Sequence, residues 1–283
     1  MRIGSDEHKE LFCRAFMDAH LPYEPKDLPW PELDPRSLEI LRAVPVWNMA
    51  LQVEVNAGAM LDTFAKSQPD PLIREALALQ GYEEARHGRM LEELSSRYGL
   101  GAQKEPPSLA PTRQAFVTFG YNECLDSFFG FGVFKIARDV KFVPDALTSV
   151  FARVLVEEAN HIVFFVNWIS YERARRGFTS PWLQAVPTTI GYIRALRKTM
   201  GRAGQTNTAD KGLTAVGDIF SGLTLQSFLQ ACLSENDRYM AAFDPRLLRP
   251  RVIPALARFV LGVAHFGASL GLGQARKDDV ARS

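Results

Sequence analysis

The sequence repeats one short arrangement of acidic residues and histidine, first as EEARH and further on as EEANH. On a helix, residues i and i+3 share a face, so Glu84 with His87, and Glu158 with His161, can each converge on one point. One ExxH is weak evidence, because the pattern arises often by chance. Two copies within apolar helical stripes are stronger, because burying carboxylates is costly without a compensating partner such as a metal ion.

Two further glutamates occupy matching places ahead of these motifs. A dinuclear site in a four-helix bundle takes one glutamate from each of the two remaining helices. Glu54, in LQVEVNAGAM, and Glu123, in FGYNECLD, each precede an ExxH by the length that a long antiparallel helix hairpin needs. The two hairpins therefore form a diverged internal repeat. Four carboxylates and two imidazoles favour iron or manganese over zinc or copper. The predicted ligands are Glu54, Glu84, His87, Glu123, Glu158 and His161.

The first glutamate of each EEAxH stretch is predicted to support a histidine. Metal-bound histidines usually donate their other ring N–H to a carboxylate. We expect this support to be crosswise, with Glu83 on His161 and Glu157 on His87. The alternative is that both glutamates are surface charges. The remaining histidines have no comparable partner spacing and are predicted not to be ligands: His8, His20 and His265.

Residues near the predicted ligands could line a substrate pocket or carry electrons. Small residues leave space for a substrate or permit close helix packing, and both alternatives stay open. Aromatic residues are redox or pocket candidates, with packing in the core as the alternative for each. These candidates are Tyr82, Tyr121, Gly58, Gly120, Phe119 and Trp168. Asp126, one turn beyond Glu123, is a candidate for supporting the site.

The elements that must position these residues are all predicted to be helices, since strand-like alternation is almost absent. The predicted helices are residues 37–67 with a kink at Pro45, 71–98, 112–139, 144–176 and 180–200, then a loop at 201–212 and two or three helices within 213–243 and 251–271. For the helix at 71–98, the predicted N-cap is Asp70, the first helical residue is Pro71 and the residue that ends the helix is Gly99.

The expected fold is all-α, with a four-helix bundle at its centre. The predicted parts are an N-terminal arm at 1–36, the bundle at 37–178, additional C-terminal helices packed on it at 179–273, and a disordered tail at 274–283.

Composition excludes several classes of protein. A formal net charge of +1 on 283 residues argues against a nucleic-acid partner held by a general basic field. The three cysteines are far apart, so a disulfide framework is not expected and a reducing cytoplasm fits best. We expect neither a signal peptide nor an integral membrane span; the nearest candidate, residues 259–273, is short and contains four glycines.

Residues 37–176 resemble the ferritin-like diiron-carboxylate proteins. That family includes bacterial monooxygenase hydroxylases, acyl-carrier-protein desaturases, ribonucleotide reductase small subunits, aldehyde-deformylating oxygenases and rubrerythrins. EEARHG is especially similar to the desaturase form of the motif. One departure concerns the arylamine N-oxygenases, which carry a third histidine ligand before the final ExxH. No histidine lies between His87 and His161 here, which disfavours that subfamily.

The resemblance implies an O2-dependent oxidase or oxygenase with two iron ions, as Fe/Fe or Mn/Fe. It further implies O2 as co-substrate, a small and mostly apolar organic substrate, and an external electron donor; a homodimer stays open. The alternative is a ferritin-like or rubrerythrin-like protein that handles iron or reduces peroxide. More than 100 residues beyond the bundle, and no CxxC pair, favour the oxygenase over this alternative. A non-enzymatic bundle with structural acids is a third and weaker hypothesis.

Overall fold

The structure is a computed structural model that describes residues 1–141, 144–178, 180–206 and 223–269, and this part of the chain is all-helical, as predicted. The helices are α1 (Asp6–Asp18), α2 (Pro35–Ala43), α3 (Trp47–Lys66), α4 (Pro71–Tyr98), α5 (Arg113–Asp139), α6 (Asp145–Arg175), α7 (Pro181–Thr206), α8 (Leu225–Ala241) and α9 (Val252–Ser269). Among the described residues, no helix combines the length and apolar character needed to cross a membrane.

Local sequence signals determine where α4 begins and ends. The carboxylate of Asp70 accepts hydrogen bonds from the backbone N–H groups of Leu72 and Ile73, and Pro71 takes the first helical position. Gly99 closes the helix in the left-handed conformation, with φ +64°, which only glycine adopts without strain. The predicted bounds of this helix are confirmed.

The predicted single helix with a kink at Pro45 is wrong, because the chain forms two helices there. Val44 is extended, with φ −72° and ψ 116°. A proline disfavours the helical conformation of the residue before it, which ends α2 at Ala43. The chain resumes as α3 at Trp47, whose indole N–H donates to the carbonyl of Leu41 across the break at 2.9 Å.

The predicted loop at 201–212 is wrong in its first half, because α7 continues to Thr206. The rest of that loop, the first part of the next predicted helix at 213–222, and the predicted tail at 274–283 lie outside the described residues. The helices at 112–139 and 144–176 are confirmed by α5 and α6. Thr112 caps α5 by accepting a hydrogen bond from the backbone N–H of Ala115.

Two helix pairs carry the acidic residues and histidines. α3 packs along α4, and α5 packs against α6, α7 and α8. α1 lies across α4 and α6. Buried aromatic side chains from several of these helices form the main apolar core on which the polar cluster rests. They include Phe12, Phe64, Phe116, Phe128, Phe165 and Trp168.

Candidate metal centre

The structure brings the six predicted ligands into two adjoining groups of donor atoms. Within each group, one donor atom from each residue lies within 4.8 Å of all the others. The first group, here called the His87 half, contains Glu54, Glu84, His87 and Glu158. The second, the His161 half, contains Glu84, Glu123 and His161. Glu84 belongs to both, so its carboxylate could serve as a donor in either half.

Distances within the cluster give Glu158 a similar shared position. Nδ1 of His87 lies 3.1 Å from Oε1 of Glu158, and Nδ1 of His161 lies 3.9 Å from its Oε2. Glu84 approaches the same two nitrogens, with Oε1 at 3.0 Å from His161 and Oε2 at 3.9 Å from His87. Glu54 completes the His87 half, with Oε2 3.7 Å from the Nδ1 of His87.

Three donor atoms at the centre of the cluster are buried without a hydrogen-bond partner. They are Nδ1 of His87, Nδ1 of His161 and Oε2 of Glu54. Buried polar atoms normally find a partner, and leaving one without costs roughly 1–3 kcal/mol. One divalent cation in each half would satisfy all three. The residues therefore fit a metal pair, and a set of four carboxylates and two imidazoles suits iron or manganese.

Glu83 and Glu157, here called the bracing carboxylates, each contact the histidine of the other motif. Nε2 of His87 lies 2.8 Å from Oε2 of Glu157, and Nε2 of His161 lies 2.9 Å from Oε2 of Glu83. When each Nε2 donates its proton to a carboxylate, the lone pair of the neutral ring is on Nδ1, facing the cluster. Glu83 and Glu157 are only 2% and 1% exposed, so the surface-charge alternative does not hold.

A second layer of polar contacts was missed by the sequence analysis. Arg86 is fully buried and donates to Oε1 of Glu157 at 2.5 Å, with Oε1 of Glu83 at 3.7 Å. Tyr23 donates its hydroxyl proton to Glu157 at 2.9 Å, and Nδ1 of His20 lies 2.6 Å from Glu83. His20 is thus not among the predicted ligands but belongs to their support. Arg86 lies inside the EEARH motif, and its position on the buried face of the helix was a sequence signal for a buried contact with an acid.

Burial and mutual repulsion shift the pKa values of the cluster. Burial, together with the charges of Glu158 and Glu84, raises the pKa of Glu123 well above its ordinary value. Burial raises the pKa of Glu54 to about 8, although His87 opposes the shift. Burial also opposes ionisation of Glu158, but the nearby His87 and His161 lower its pKa to about 2.

Both cluster histidines hold their protons more tightly than free imidazole. Burial lowers the pKa of His87 and of His161, but the surrounding carboxylates outweigh it and raise both pKa values well above normal. Without a cation, the excess negative charge of the cluster is therefore balanced by protons on imidazole and carboxyl groups. A metal ion binding there must displace some of them, because ligands bind metals in their deprotonated forms.

Cavities reach the cluster from its open side, where the side chains of Glu54 and Glu158 remain 18% and 14% exposed. One cavity of about 350 Å³ extends from Glu54 and His87 between mainly apolar residues, including Trp47, Leu91, Phe134 and Phe151. A second, of about 480 Å³, meets Glu54, Glu123, Asp126 and Glu158. A third, of about 370 Å³, is lined by Phe119, Glu123 and Asp126.

The two small residues allow close packing instead of leaving open space. A Cβ on Gly58 would lie 2.9 Å from the backbone nitrogen of Ala85, and a Cβ on Gly120 would collide with the ring of Phe165. α3 therefore approaches α4 closely at Gly58, and α5 approaches α6 at Gly120. The sequence left open whether these residues provide space for a substrate or permit close helix packing, and both positions support close packing.

The four aromatic candidates lie in different environments. Tyr82 is 44% exposed and donates its hydroxyl proton to Glu24, so packing in the core, the alternative given for it, is wrong. Tyr121 is buried and accepts a hydrogen bond from Arg173 at 2.8 Å. Trp168 packs edge-on against Phe116, with ring centroids 4.8 Å apart, in the core. Phe119 is the one that shares a cavity with a predicted ligand, Glu123.

Comparison of the chain with models of protein families, with curated proteins and with solved structures finds no match. The assignment of a function therefore depends on the geometry of the cluster and on the resemblance of its motifs.

Proposed function

We propose that α3, α4, α5 and α6 form a ferritin-like four-helix bundle holding two iron ions, and that the protein uses O2 to oxidise a small, mostly apolar organic substrate. Two ferrous ions bound there would supply electrons and open coordination positions for O2. An Mn/Fe pair would use the same ligands. The observation that carries the proposal is the pair of buried Nδ1 atoms, neither of them in a well-directed hydrogen bond, that face four carboxylates.

The residues have separable roles in this proposal. Glu84 and Glu158 lie between the two histidines and would be shared by both ions, whereas Glu54 and Glu123 each serve one half. Glu83 and Glu157 would orient the imidazoles and hold their Nε2 protons. A ring fixed in this way would keep its Nδ1 lone pair directed at the metal. This would raise the affinity for the metal and keep the ring in the same orientation between turnovers.

The cavity that reaches Glu54 and His87 supports an apolar substrate. Its volume of about 350 Å³ lies within the range of small-molecule sites, and its walls are mainly aliphatic and aromatic. Such walls exclude water from the cluster and bind carbon-rich substrates with the reacting group near the ligands. We propose an external electron donor, since the sequence has no CxxC pair of the rubredoxin type. A cytoplasmic location and a homodimer are further elements of the proposal.

Anaerobic Fe(II) loading followed by O2 exposure tests the proposal. We expect about two irons per chain, since a dinuclear site requires both. With a reductant present, O2 should be consumed repeatedly, because the reductant would return the iron pair to its ferrous state after each reaction with O2. A single round of O2 uptake with iron retained as a ferric deposit would favour the iron-handling alternative. Fewer than about two irons per chain would remove the basis of both.

A matched pair of variants links the iron to the cluster. Glu84→Ala should abolish iron binding, whereas Glu75→Ala, an exposed position on the same helix, should leave it unchanged. Equal iron content in the two variants would refute the assignment of ligands.

A further inference from the structure

A cavity away from the metal cluster is lined by an unusual number of cations. It lies between α5, α6 and α7 and has a volume of about 360 Å³. Its four arginines are Arg113, Arg173, Arg176 and Arg194. One neighbouring acid, Glu172, pairs with two of them: it accepts a bidentate contact from Arg113, and it lies 2.7 Å from Arg176. Within the described part of the chain, neither of the other two arginines forms an ion pair with an acid.

Arg173 is the informative member of this set. Its residue is only 8% exposed, and its guanidinium donates to the hydroxyl oxygens of Thr188 and Tyr121 at 2.7 and 2.8 Å. Both partners are neutral, and no acid of the described residues forms an ion pair with it. Burying a charge without an opposite charge is strongly unfavourable. Tyr121 and Thr188 hold the guanidinium in place at the cavity wall, so its charge is directed toward whatever fills the cavity.

The remaining walls of the cavity define the rest of a ligand. Val117, Phe178, Pro187 and Ile190 make most of the lining apolar. Gln114 and Thr118 line this cavity and also the neighbouring one that reaches Glu123. The two spaces therefore adjoin along one face of α5. A ligand with an anionic end near Arg173 has a path for an apolar body along this helix.

We propose that this cavity binds the carboxylate of an amphipathic organic acid, with Arg173 and Arg194 as its cationic partners and with the apolar part of the ligand lying along α5. A planar carboxylate matches the forked N–H donors of a guanidinium, which favours it as the anionic group. The site is distinct from the metal cluster, and its occupation does not depend on the proposed iron chemistry.

Calorimetric titration of the full-length protein with three probes tests the ligand class. Octanoate has the carboxylate and an apolar chain, octan-1-ol has a comparable chain without the charge, and inorganic phosphate has charge without a chain. We expect octanoate to bind at least tenfold more tightly than either of the others. Equal affinity for octanoate and octan-1-ol would overturn the role of the arginines. Phosphate binding as tight as octanoate would overturn the role of the apolar lining.

Variants place the binding in the cavity. Arg173→Gln keeps a donor for Tyr121 and removes the charge, and Arg194→Gln removes the charge of an exposed residue. Each should weaken octanoate binding about tenfold or more, while Arg14→Gln, an exposed arginine on α1, should leave it unchanged. If circular dichroism shows Arg173→Gln to be unfolded, Arg194→Gln decides. Octanoate affinity within twofold of the parent in that variant overturns the proposal.

Titration of the metal-free protein separates this site from the proposed function. Octanoate should bind there with the same arginine dependence, even if iron loading fails. Loss of the octanoate isotherm when the metal is removed, in protein that remains folded, would contradict a site distinct from the cluster.

Discussion

Glu157 and Glu83 occupy equivalent positions in two copies of one motif, yet their surroundings differ. Glu157 is held by a permanent charge, Arg86 at 2.5 Å, and by the hydroxyl of Tyr23. Glu83 instead meets His20 at 2.6 Å, a partner whose side chain is 27% exposed, with the same Arg86 farther away at 3.7 Å. Each bracing carboxylate therefore contacts its histidine in the same way, but the other residues that stabilise the carboxylate differ.

This difference separates what a repeated motif determines from what it leaves to the rest of the chain. The repeat places ligands and braces by helix geometry, which is local and identical in both copies. The supporting groups come from one variable motif position, Arg86 where the other copy has Asn160, and from the N-terminal segment. The symmetry of the cluster thus ends at the bracing carboxylates, and the following variants test the two halves against each other.

The largest effect is expected at the shared ligand. Glu84→Ala removes a donor from both halves and should leave almost no bound iron. Glu54→Ala affects the His87 half alone and should leave about one iron per chain, because the His161 half keeps its donors. Metal analysis after anaerobic loading and desalting measures both. Retention of one iron in Glu84→Ala, with none in Glu54→Ala, would reverse the proposed arrangement.

The next largest effect is expected at the motif position where the two copies differ, Arg86 in one and Asn160 in the other. Arg86→Met leaves the buried Glu157 without its guanidinium and should lower the free energy of unfolding by about 3–5 kcal/mol. Asn160→Leu, at the matching position, removes no charge but adds volume at a buried site, so it should lower the free energy of unfolding by about 1–3 kcal/mol. Urea unfolding of the metal-free proteins measures both. Similar losses in the two variants would mean that the motif position, and not the buried charge pair, determines the effect.

Replacing each brace with its amide compares the halves directly. Glu157→Gln and Glu83→Gln should each weaken metal binding by roughly 10–100-fold, because the supported imidazole loses its carboxylate acceptor. Only Glu157→Gln should also lower the free energy of unfolding markedly, since it leaves Arg86 without its close acid. Competition with a chelator and urea unfolding give the two quantities. Equal destabilisation by both variants would contradict the asymmetry.

The smallest effects are expected from the hydroxyl of Tyr23 in one half and from the imidazole of His20 in the other. Tyr23→Phe removes one hydrogen bond to Glu157 but keeps the ring 4.0 Å from the Arg86 guanidinium, so we expect a loss of about 1 kcal/mol in the free energy of unfolding. His20→Gln retains a donor for Glu83 and should cost less than this. The same urea titrations apply, and a loss of several kcal/mol in either variant would make the N-terminal contacts dominant.

Much of the helical framework could be predicted because its signals are local. Asp70, Pro71 and Gly99 define α4 through capping and backbone preference alone. The separation of α2 from α3 was underestimated, since Pro45 acts on the residue before it and ends the helix instead of bending it. The convergence of the six acids and histidines also follows from spacing. Their role as metal ligands remains a prediction.

The supporting contacts could not be predicted because they join distant parts of the chain. Nothing local in residues 20–23 indicates that His20 and Tyr23 face the carboxylates of α4 and α6. The question of pocket or packing at Gly58 and Gly120 likewise depends on distances between helices, which spacing along one helix does not contain. Sequence periodicity assigns a residue to a face; it does not say how closely the next helix approaches.

The support of Glu157 by the N-terminal segment has a consequence for how the protein is made. Tyr23 leaves the ribosome long before α6, so its hydroxyl has no acceptor while most of the chain is still being synthesised. Closing so long a loop is slow and entropically costly, whereas the α3–α4 hairpin needs only nearby residues. The cluster is therefore completed late in synthesis, and any metal that it binds can be held by all six residues only after α6 has emerged and docked.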